Sequence, residues 1–359
     1  MADSKQAPLD AEAAAKAAFA SVQNQPFPND IFTAPELRWA VIGCGVIANQ
    51  MAQSLALAGR KLAGVANRTL SKAQAFAEQY GVEKVYETVE DLYADPDIDA
   101  VYITTPHNTH ITYLRAALAA GKHVLCEKAI TLNSAELDEA RAIADEHNVV
   151  LMDATTVLHM PLYQELRRRM DAGDFGRMNL AQLNFGSYKE YGDLTNRFYN
   201  RNLAGGAMLD IGVYALSVMR LFMASQPIEV VSLGNTCETG VDVAGGIVCR
   251  NAEQQLGVVS LTLHSKQPKR SVISFDKCYI EVNEYPRADH ATIVWTADGR
   301  REEVHAGTEA YALCYEMADL EQAVAGDDSK RELLDYASDV MELMTKLRAD
   351  WGVVYPEEE

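Results

Sequence analysis

The stretch that most constrains this chain covers residues 37–48 and reads LRWAVIGCGVIA. An apolar run ends in two close glycines, Gly43 and Gly45, and a helical pattern starts at Val46 and Ile47. A strand, a glycine turn and a helix in this order let a dinucleotide pyrophosphate approach bare main chain at the positive end of the helix. The pattern therefore favours a dinucleotide site with these four residues as contacts. The alternative is a tight turn that binds nothing.

Strand and helix patterns alternate from this segment to about residue 157. The predicted strands are 37–42, 61–66, 84–86, 100–104, 123–126 and 149–152, and the predicted helices are 46–58, 71–80, 89–94, 110–120 and 134–147. Such alternation is typical of an α/β domain of the Rossmann type, a doubly wound parallel sheet with right-handed crossovers.

The pattern changes after Pro161. Two helices, 161–172 and 205–223, accompany a series of strands, and two acidic helices, 310–325 and 329–347, follow them. The predicted strands are 178–188, 229–236, 241–249, 255–264, 270–275, 279–283, 292–295 and 302–304. Successive strands joined by short turns predict an α+β domain with a large, mostly antiparallel sheet.

The sequence thus predicts three parts: an N-terminal arm (1–36), a dinucleotide-binding Rossmann domain (37–157) and an α+β domain (158–359). Residues 10–22 of the arm are alanine-rich and are expected to form a weak helix. Two interpretations of the arm stay open, a frayed tail or a segment that docks on a neighbouring subunit.

Composition narrows the partners and the compartment. The formal net charge of −19 argues against nucleic acid and anionic membrane surfaces as partners. The six cysteines form no CxxC pair and no metal-like spacing with histidine, so we predict no metal and a reducing compartment, the cytoplasm. No apolar run approaches the ~20 residues of a membrane span, and the N-terminus lacks the pattern of a secretory signal.

The end of the second predicted strand bears on the choice of dinucleotide. NAD sites place Asp or Glu about 20 residues after the glycines, where it binds the adenosine 2′-hydroxyl. This chain has Asn67 and Arg68 there, followed closely by Lys72. A carboxylate would repel a 2′-phosphate that these donors attract, so we expect NADP(H) to be favoured, with NAD(H) possible. Alternatively, Arg68 stacks on the adenine of either cofactor.

Two further strand ends are expected along the same edge of the sheet, where ligands of open α/β sheets bind. After residue 104 come Thr105, Pro106, His107 and His110, which we predict as cofactor contacts. We expect His107 to face the cofactor and His110 to cap or pack the next helix.

Glu127 and Lys128 follow the next strand and are also predicted cofactor contacts. From this position the Lys128 ammonium would point into the cleft, where it could lower the pKa of a neighbouring hydroxyl or hold a sugar oxygen. A lysine considered alone is more often a solvated surface residue.

Asp210 and Tyr214 lie four residues apart near the start of the helix 205–223, so they are predicted to share one helical face. A tyrosine with its ordinary pKa near 10 is a poor base, but an adjacent ammonium makes it competent. We therefore predict that Lys128 and Tyr214, from different domains, meet beside the redox-active ring. The alternative for Tyr214 is a core or interfacial aromatic.

The segments GCGVIA, TPHNTH, CEKA and GGAMLDIGVY occur in the order and at the spacing of the Gfo/Idh/MocA oxidoreductase family, which the chain resembles over residues 37–223 and more weakly beyond. The resemblance implies hydride transfer between NAD(P) and a sugar, polyol or related compound, with Lys128 as the family's lysine and Asp210 positioning the substrate. Tyr214 stands where many members carry an acid/base histidine, and members with tyrosine there tend to use NADP. The chain departs from the family at Ala129, where proline is usual.

The resemblance also implies that the second domain has an open-faced sheet that builds a homodimer or homotetramer. Polar residues before the glycines of residues 205–206 are candidates for a sugar pocket: Asn184, Lys189, Arg197, Tyr199 and Asn200. A non-catalytic sensor of the same fold, which binds cofactor or sugar and reports it to a partner, is the alternative to an enzyme.

Overall fold

The computed structural model of the chain describes residues 16–23 and 25–359. Residues 16–22 are helical, within the predicted helix 10–22, whose first part lies outside the described residues. The chain divides into two compact units, of which the first comprises residues up to Thr131, Ala135–Ala154 and Ala310–Asp335, and the second comprises Leu132–Ser134, Thr155–Glu309 and Tyr336–Glu359.

The first unit contains a six-stranded sheet in which every pairing is parallel. Its strands are β1 (Trp39–Ile42), β2 (Gly64–Ala66), β3 (Lys84–Tyr86), β4 (Ala100–Ile103), β5 (His123–Cys126) and β6 (Leu151–Asp153). The helices between them are α1 (Val46–Leu57), α2 (Leu70–Tyr80), α3 (Val89–Ala94), α4 (His110–Ala119) and α5 (Ser134–Glu146).

The strand order is β3-β2-β1-β4-β5-β6, which confirms the predicted doubly wound sheet. The order reverses between β1 and β4, and ligands of such sheets bind outside the carboxyl ends of the strands at this point. The topology therefore directs attention to the residues that follow β1, β2, β4 and β5.

The second unit is built on an eight-stranded sheet in the order β14-β13-β12-β11-β7-β10-β9-β8. Its strands are β7 (Met178–Gly186), β8 (Glu229–Thr236), β9 (Asp242–Arg250), β10 (Leu256–Thr262), β11 (Gln267–Phe275), β12 (Cys278–Asn283), β13 (His290–Trp295) and β14 (Arg301–His305). Only β7 and β10 pair in parallel, so the predicted mostly antiparallel sheet is confirmed.

The helix predicted over 205–223 is not a regular α-helix. A π-helical turn occupies Met208–Gly212, and only then does the α-helix α7 (Val213–Phe222) begin. Another helix of this unit is α6 (Pro161–Asp171), and its proline stands at the first turn, where the missing N–H costs nothing. Asp210 therefore lies in the π turn and Tyr214 in the first turn of α7.

The segment Ala310–Asp335 belongs to the first unit, which corrects the predicted boundary that assigned all of 158–359 to the second domain. It contains α8 (Ala312–Val324) and the short α9 (Asp328–Arg331), and α10 (Leu333–Asp350) follows. Leu313, Met317 and Leu320 of α8 are part of the same buried cluster as Trp39 and Met51. These three apolar residues recur on one side of a helix that also carries acidic residues, and the sequence did not indicate which unit they pack against.

The Glu321 carboxylate fixes α8 in the first unit. It is completely buried and accepts hydrogen bonds from the Leu37 N–H (3.2 Å), the Trp39 indole N–H (3.0 Å) and both terminal nitrogens of Arg60 (2.5 and 3.1 Å). Arg60 also lies over the Phe32 ring, 4.0 Å from its centre. The buried charge is thus fully paired, which a carboxylate requires in an apolar interior.

The two faces of the eight-stranded sheet differ. Helix α7 packs against β7, β10 and β11 on one face, which includes the buried Leu183 and Phe185. On β8, residues of the other face are exposed, with Val231 at 76% and Leu233 at 82% of their maximal surface. The open face expected from the family resemblance is therefore present.

One helical stretch, Arg201–Phe222, is long and apolar enough to cross a membrane by length and composition, but 83% of its apolar window is buried inside the protein. A core helix passes the same test, and this one packs on the sheet. The six cysteines are free, and Cys126, Cys249, Cys278 and Cys314 are buried. The reducing compartment stays a prediction.

Candidate functional site

The turn after β1 requires glycine at its first position. Gly43 has a φ of +102°, and a Cβ built on it would lie 2.6 Å from Thr104 Oγ1 and 3.2 Å from Thr104 O. The Gly43 N–H donates to Ala66 O at 2.9 Å. Gly43 thus packs the end of β1 against the residue that follows β4, at the switch point of the sheet.

Gly45, in contrast, faces open space. It is the N-cap of α1, and a Cβ added to it would have no atom within 4 Å. No side chain caps the helix, and its first turn holds no acidic residue. Val46 is 67% exposed at this helix start, whereas Ile47 packs on the core. Both lie in the first turn of α1, where main-chain N–H groups have no partner within the helix. Room, amide donors and the positive helix end fit the pyrophosphate of a dinucleotide.

Exposed cations follow β2. Arg68 and Lys72 are exposed, and no described residue forms an ion pair or hydrogen bond with the Arg68 side chain. The Asn67 side chain donates to Thr69 O at 3.0 Å, so it shapes the turn. In an acidic protein, a guanidinium left without a carboxylate partner at this place suits an anionic ligand.

His110 is placed differently from the prediction that it contacts the cofactor. The residue is completely buried, and its Nδ1 and Nε2 lie 3.0 Å from Ala129 O and 2.8 Å from Thr105 O. Burial lowers its pKa, and a neutral imidazole donates to only one of the two carbonyls. His110 therefore joins the loop after β4 to the loop after β5, in line with the expected packing role.

Thr105, Pro106 and His107, which precede His110 in the loop after β4, are accessible to solvent to different extents. Pro106 is exposed, while Thr105 and His107 are half-buried. The Thr105 hydroxyl accepts from the Thr109 hydroxyl at 2.8 Å, and the His107 ring stands edge-on to His110 with 5.8 Å between centres. Thr105, Pro106 and His107 remain candidate cofactor contacts.

Glu127 and Lys128 are both half-buried at the end of β5. The Tyr102 hydroxyl donates to the Glu127 carboxylate, which holds this carboxylate against the sheet. The positive charge of Lys128 adds to the burial that lowers the pKa of His110. The Lys128–Ala129 peptide bond is cis.

In the second unit, Asp210 occupies the π turn and is 8% exposed. Both terminal nitrogens of Arg197 lie 3.5 Å from its Oδ1. The Arg197 guanidinium and the Lys189 ammonium lie 4.1 and 4.2 Å from the centre of the Phe198 ring. Phe198, which the sequence analysis did not name, thus packs against both of these predicted pocket cations.

Tyr214 is half-buried on the covered face of the sheet. Its ring centre lies 6.1 Å from that of Phe185 on β7. Asp210 and Tyr214 thus lie in successive turns of one helical segment, and the shared helical face stays a prediction. The phenol has an apolar neighbour on one side and is accessible on another.

Three predicted pocket residues have other roles. Asn184 lies next to Phe185 on β7, so its side chain points to the opposite, open face of the sheet and donates to Pro268 O. Tyr199 is completely buried and donates to Lys189 O at 2.9 Å, and burial raises its pKa to about 12. Asn200 accepts from the Asn202 N–H at 2.9 Å and caps a short turn.

Polar groups in the described part of the chain form no cluster of three or more histidine, cysteine or acidic residues able to hold a metal ion. The chemistry visible in the two units is that of amide donors, cations, a carboxylate and a phenol.

Two family models match the chain. The model described as the oxidoreductase family with an NAD-binding Rossmann fold matches residues 37–155, and the GFO/IDH/MocA C-terminal domain matches residues 163–281. Together they cover most of both units described above.

Individual relatives agree with these models. A mouse (Mus musculus) trans-1,2-dihydrobenzene-1,2-diol dehydrogenase is 32% identical over 254 residues, which are 69% of this chain and 75% of the relative. The structure of a 3-ketoreductase from Actinomadura kijaniata, in complex with NADP and TDP-benzene, is 25% identical with a TM-score of 0.75, covering 88% of this chain and 98% of its own. A levoglucosan dehydrogenase, in complex with NADH and levoglucosan, shares the fold at 20% identity with a TM-score of 0.76, covering 87% and 97%.

The two glycines of the first turn are expected to respond differently to alanine. Gly45→Ala adds a methyl group where the protein has open space, so the free energy of unfolding should change by no more than about 0.5 kcal/mol. Because the methyl group takes the room of a phosphate, affinity for NADPH and NADH should fall at least about tenfold. Denaturant unfolding and fluorescence titration measure the two quantities, and unchanged affinity would contradict the placement.

Gly43→Ala is the matched variant. Its positive φ and the clash with Thr104 are expected to lower the free energy of unfolding by about 2 kcal/mol. Binding and stability should therefore both fall in Gly43→Ala, whereas only binding should fall in Gly45→Ala.

Proposed function

The chain belongs to the Gfo/Idh/MocA family of NAD(P)-dependent oxidoreductases, and on that premise we propose that it transfers hydride between a nicotinamide and a CH–OH carbon of a sugar, polyol or related compound. The observation that carries the proposal is the glycine turn, where open space meets an uncapped helix start. Relatives named as diol and sugar dehydrogenases and as a ketoreductase support this substrate class.

When bound, the nicotinamide gives or accepts the hydride, and Tyr214 moves the accompanying proton. In the reductive direction the phenol donates to the substrate oxygen, and in the oxidative direction the phenolate accepts the hydroxyl proton. A phenol loses its proton with a pKa near 10, so it works as a base near neutral pH only beside a cation. We assign this role to the Lys128 ammonium at the end of β5.

Asp210 supplies the orienting group. Its carboxylate accepts a hydrogen bond from a hydroxyl next to the reacting carbon, one helical turn from Tyr214. Arg197, 3.5 Å from the same carboxylate, offers donors to further substrate oxygens. Holding the substrate in one geometry is the contribution that these groups would make to the rate.

Lys128→Ala and Tyr214→Phe should each lower kcat at least about 100-fold, because the first removes the cation that lowers the pKa of the phenol and the second removes the group that moves the proton. The assay follows the absorbance of the reduced nicotinamide with a panel of aldoses, polyols and diols. Lys61→Ala, which removes an exposed lysine paired with Glu83, is the control and should retain full activity.

Tight cofactor binding without turnover on any substrate by the unmodified protein would instead favour the sensor alternative. Turnover that survives both substitutions would leave the enzyme assignment standing and remove the assigned roles.

The structural environment of Arg68 supports NADP(H) as the cofactor. Arg68 and Lys72 are exposed after β2, and the described residues place no carboxylate on Arg68. A 2′-phosphate would gain a bidentate guanidinium partner at this position. NAD(H) would leave both cations with water.

Arg68→Ala is therefore expected to weaken NADPH about tenfold or more and to change NADH affinity by less than about threefold. Isothermal titration with both nucleotides measures this selectivity. Equal losses for both cofactors would show that Arg68 stacks on the adenine, and the NADP(H) assignment would then fall.

The open face of the eight-stranded sheet supports a homodimer. Val231 and Leu233 are exposed on β8, and Val231 is registered with Val248, which is 47% exposed, on β9. Val258 on β10 continues the row. Two copies related by a two-fold axis would cover such an exposed apolar row with the same row of the partner.

Leu233→Glu should convert the oligomer to a monomer in light-scattering measurements, because it places a charge within the apolar row. The folded monomer should keep its stability, since Leu233 is 82% exposed in the single chain. Ile228→Glu is the matched control, because Ile228 is 65% exposed and precedes β8, outside the apolar row. A wild-type mass equal to the monomer would contradict the proposal.

A further inference from the structure

The turn before the π-helical segment is closely packed at its two glycines. A Cβ on Gly205 would lie 2.6 Å from Arg197 O, and one on Gly206, whose φ is +126°, would collide with Asp242 Oδ1. Gly205 and Gly206 also donate their N–H groups to Asn200 O and Phe198 O, both at 3.0 Å. The main chain that leads into Asp210 therefore has little freedom to move.

Asp242, the first residue of β9, holds the start of the π turn. The residue is completely buried, and its Oδ2 accepts from the Met208 N–H at 2.6 Å. Burial raises the pKa of Asp242 to about 6, while the Met208 N–H and the charge of Arg348 oppose the rise. A negative charge is favourable at the amino end of a helical segment, which explains why a carboxylate occupies this site.

Tyr355 holds the same turn through Gly205, and its hydroxyl lies near Asp242 at Gly206. Its hydroxyl donates to Gly205 O at 2.7 Å, and the residue is completely buried. The buried Arg348 lies over its ring, 4.6 Å from the centre, and binds the Glu358 carboxylate at 2.9 and 2.7 Å. Glu358 in turn accepts from the Tyr355 N–H at 3.0 Å.

We propose that these groups, Asp242 with Arg348, Tyr355 and Glu358, form a clamp that positions the π turn and thereby sets the geometry of Asp210 and Tyr214 during the reaction. The proposal rests on the proposed function for its second half, and its first half concerns the fold alone. The clamp residues are positioning residues, since their contacts are with the main chain of the turn and with one another.

A π turn needs such external support. Its i→i+5 hydrogen bonds are less favourable than those of an α-helix, and π turns concentrate at functional sites. Within this turn the Asp210 N–H reaches Gly206 O only at 3.3 Å. Asp242 and Tyr355 supply the shorter bonds, so the turn keeps its shape through them.

Tyr355→Phe and Asp242→Asn test the first half. Each is nearly isosteric and removes one hydroxyl or one charge, so hydrogen exchange of the amides of residues 206–214, measured by mass spectrometry, should become about tenfold faster. Tyr163→Phe is the matched control, because the buried Tyr163 hydroxyl donates to Tyr285 O at the same 2.7 Å. It should leave exchange at 206–214 as in the wild type.

Kinetics test the second half. The two clamp variants should lower kcat about 10- to 100-fold, as expected for misplacing reacting groups by less than 1 Å, with cofactor affinity unchanged. A variant that only weakened the fold would lose kcat and cofactor affinity together. If Asp242→Asn does not fold, Tyr355→Phe alone carries both measurements.

The outcomes separate the two proposals. If the amides of residues 206–214 exchange at the wild-type rate in the clamp variants, the clamp is overturned, whatever the enzyme assay shows. Faster exchange with full kcat overturns the positioning role. A wild-type protein that turns over nothing overturns the proposed function, while exchange still decides whether the clamp holds the turn.

Discussion

The first unit depends on a single buried carboxylate. Glu321 receives main-chain, indole and guanidinium donors from three separate segments, so it joins the chain just before β1, β1 itself and the loop after α1 to helix α8. Leaving such a charge without its guanidinium partner costs about 3–5 kcal/mol. Because β1 is central in its sheet and ends in the glycine turn, the geometry of the dinucleotide site follows from this pairing.

Local patterns predicted much of the secondary structure. The strands Lys84–Tyr86, His123–Cys126 and Glu229–Thr236 and the helix Val89–Ala94 begin and end where the sequence placed them. Apolar periodicity and turn residues are local, so they suffice there. That α8 belongs to the first unit was not predictable in this way. Its apolar residues could pack against either unit, and the sequence pattern alone does not distinguish the two. The break at Glu332, which divides the predicted helix 329–347, is a similar case.

For the candidate site, residue type and position in a motif indicated some residues but did not show the surroundings of others. The glycine turn, Arg68, Asp210 and Tyr214 follow from motifs whose chemistry needs those residues. Alternation along β7 turns Asn184 to the open face, and the Tyr199 hydroxyl donates to a main-chain carbonyl inside the protein, so neither arrangement could be predicted from residue type. The clamp was invisible to sequence reasoning, since Asp242 and Tyr355 lie far from the turn in the chain. No motif connects them.

Helix α8 also has a consequence for synthesis. The ribosome releases the six parallel strands long before Leu313, Met317 and Leu320 are translated, so the nascent Rossmann unit has an apolar surface that its own helix has yet to cover. Contacts between residues so far apart in the sequence slow folding, and intermediates that expose apolar surface are prone to aggregation. A fragment that ends before α8 would therefore lack part of the core of this unit.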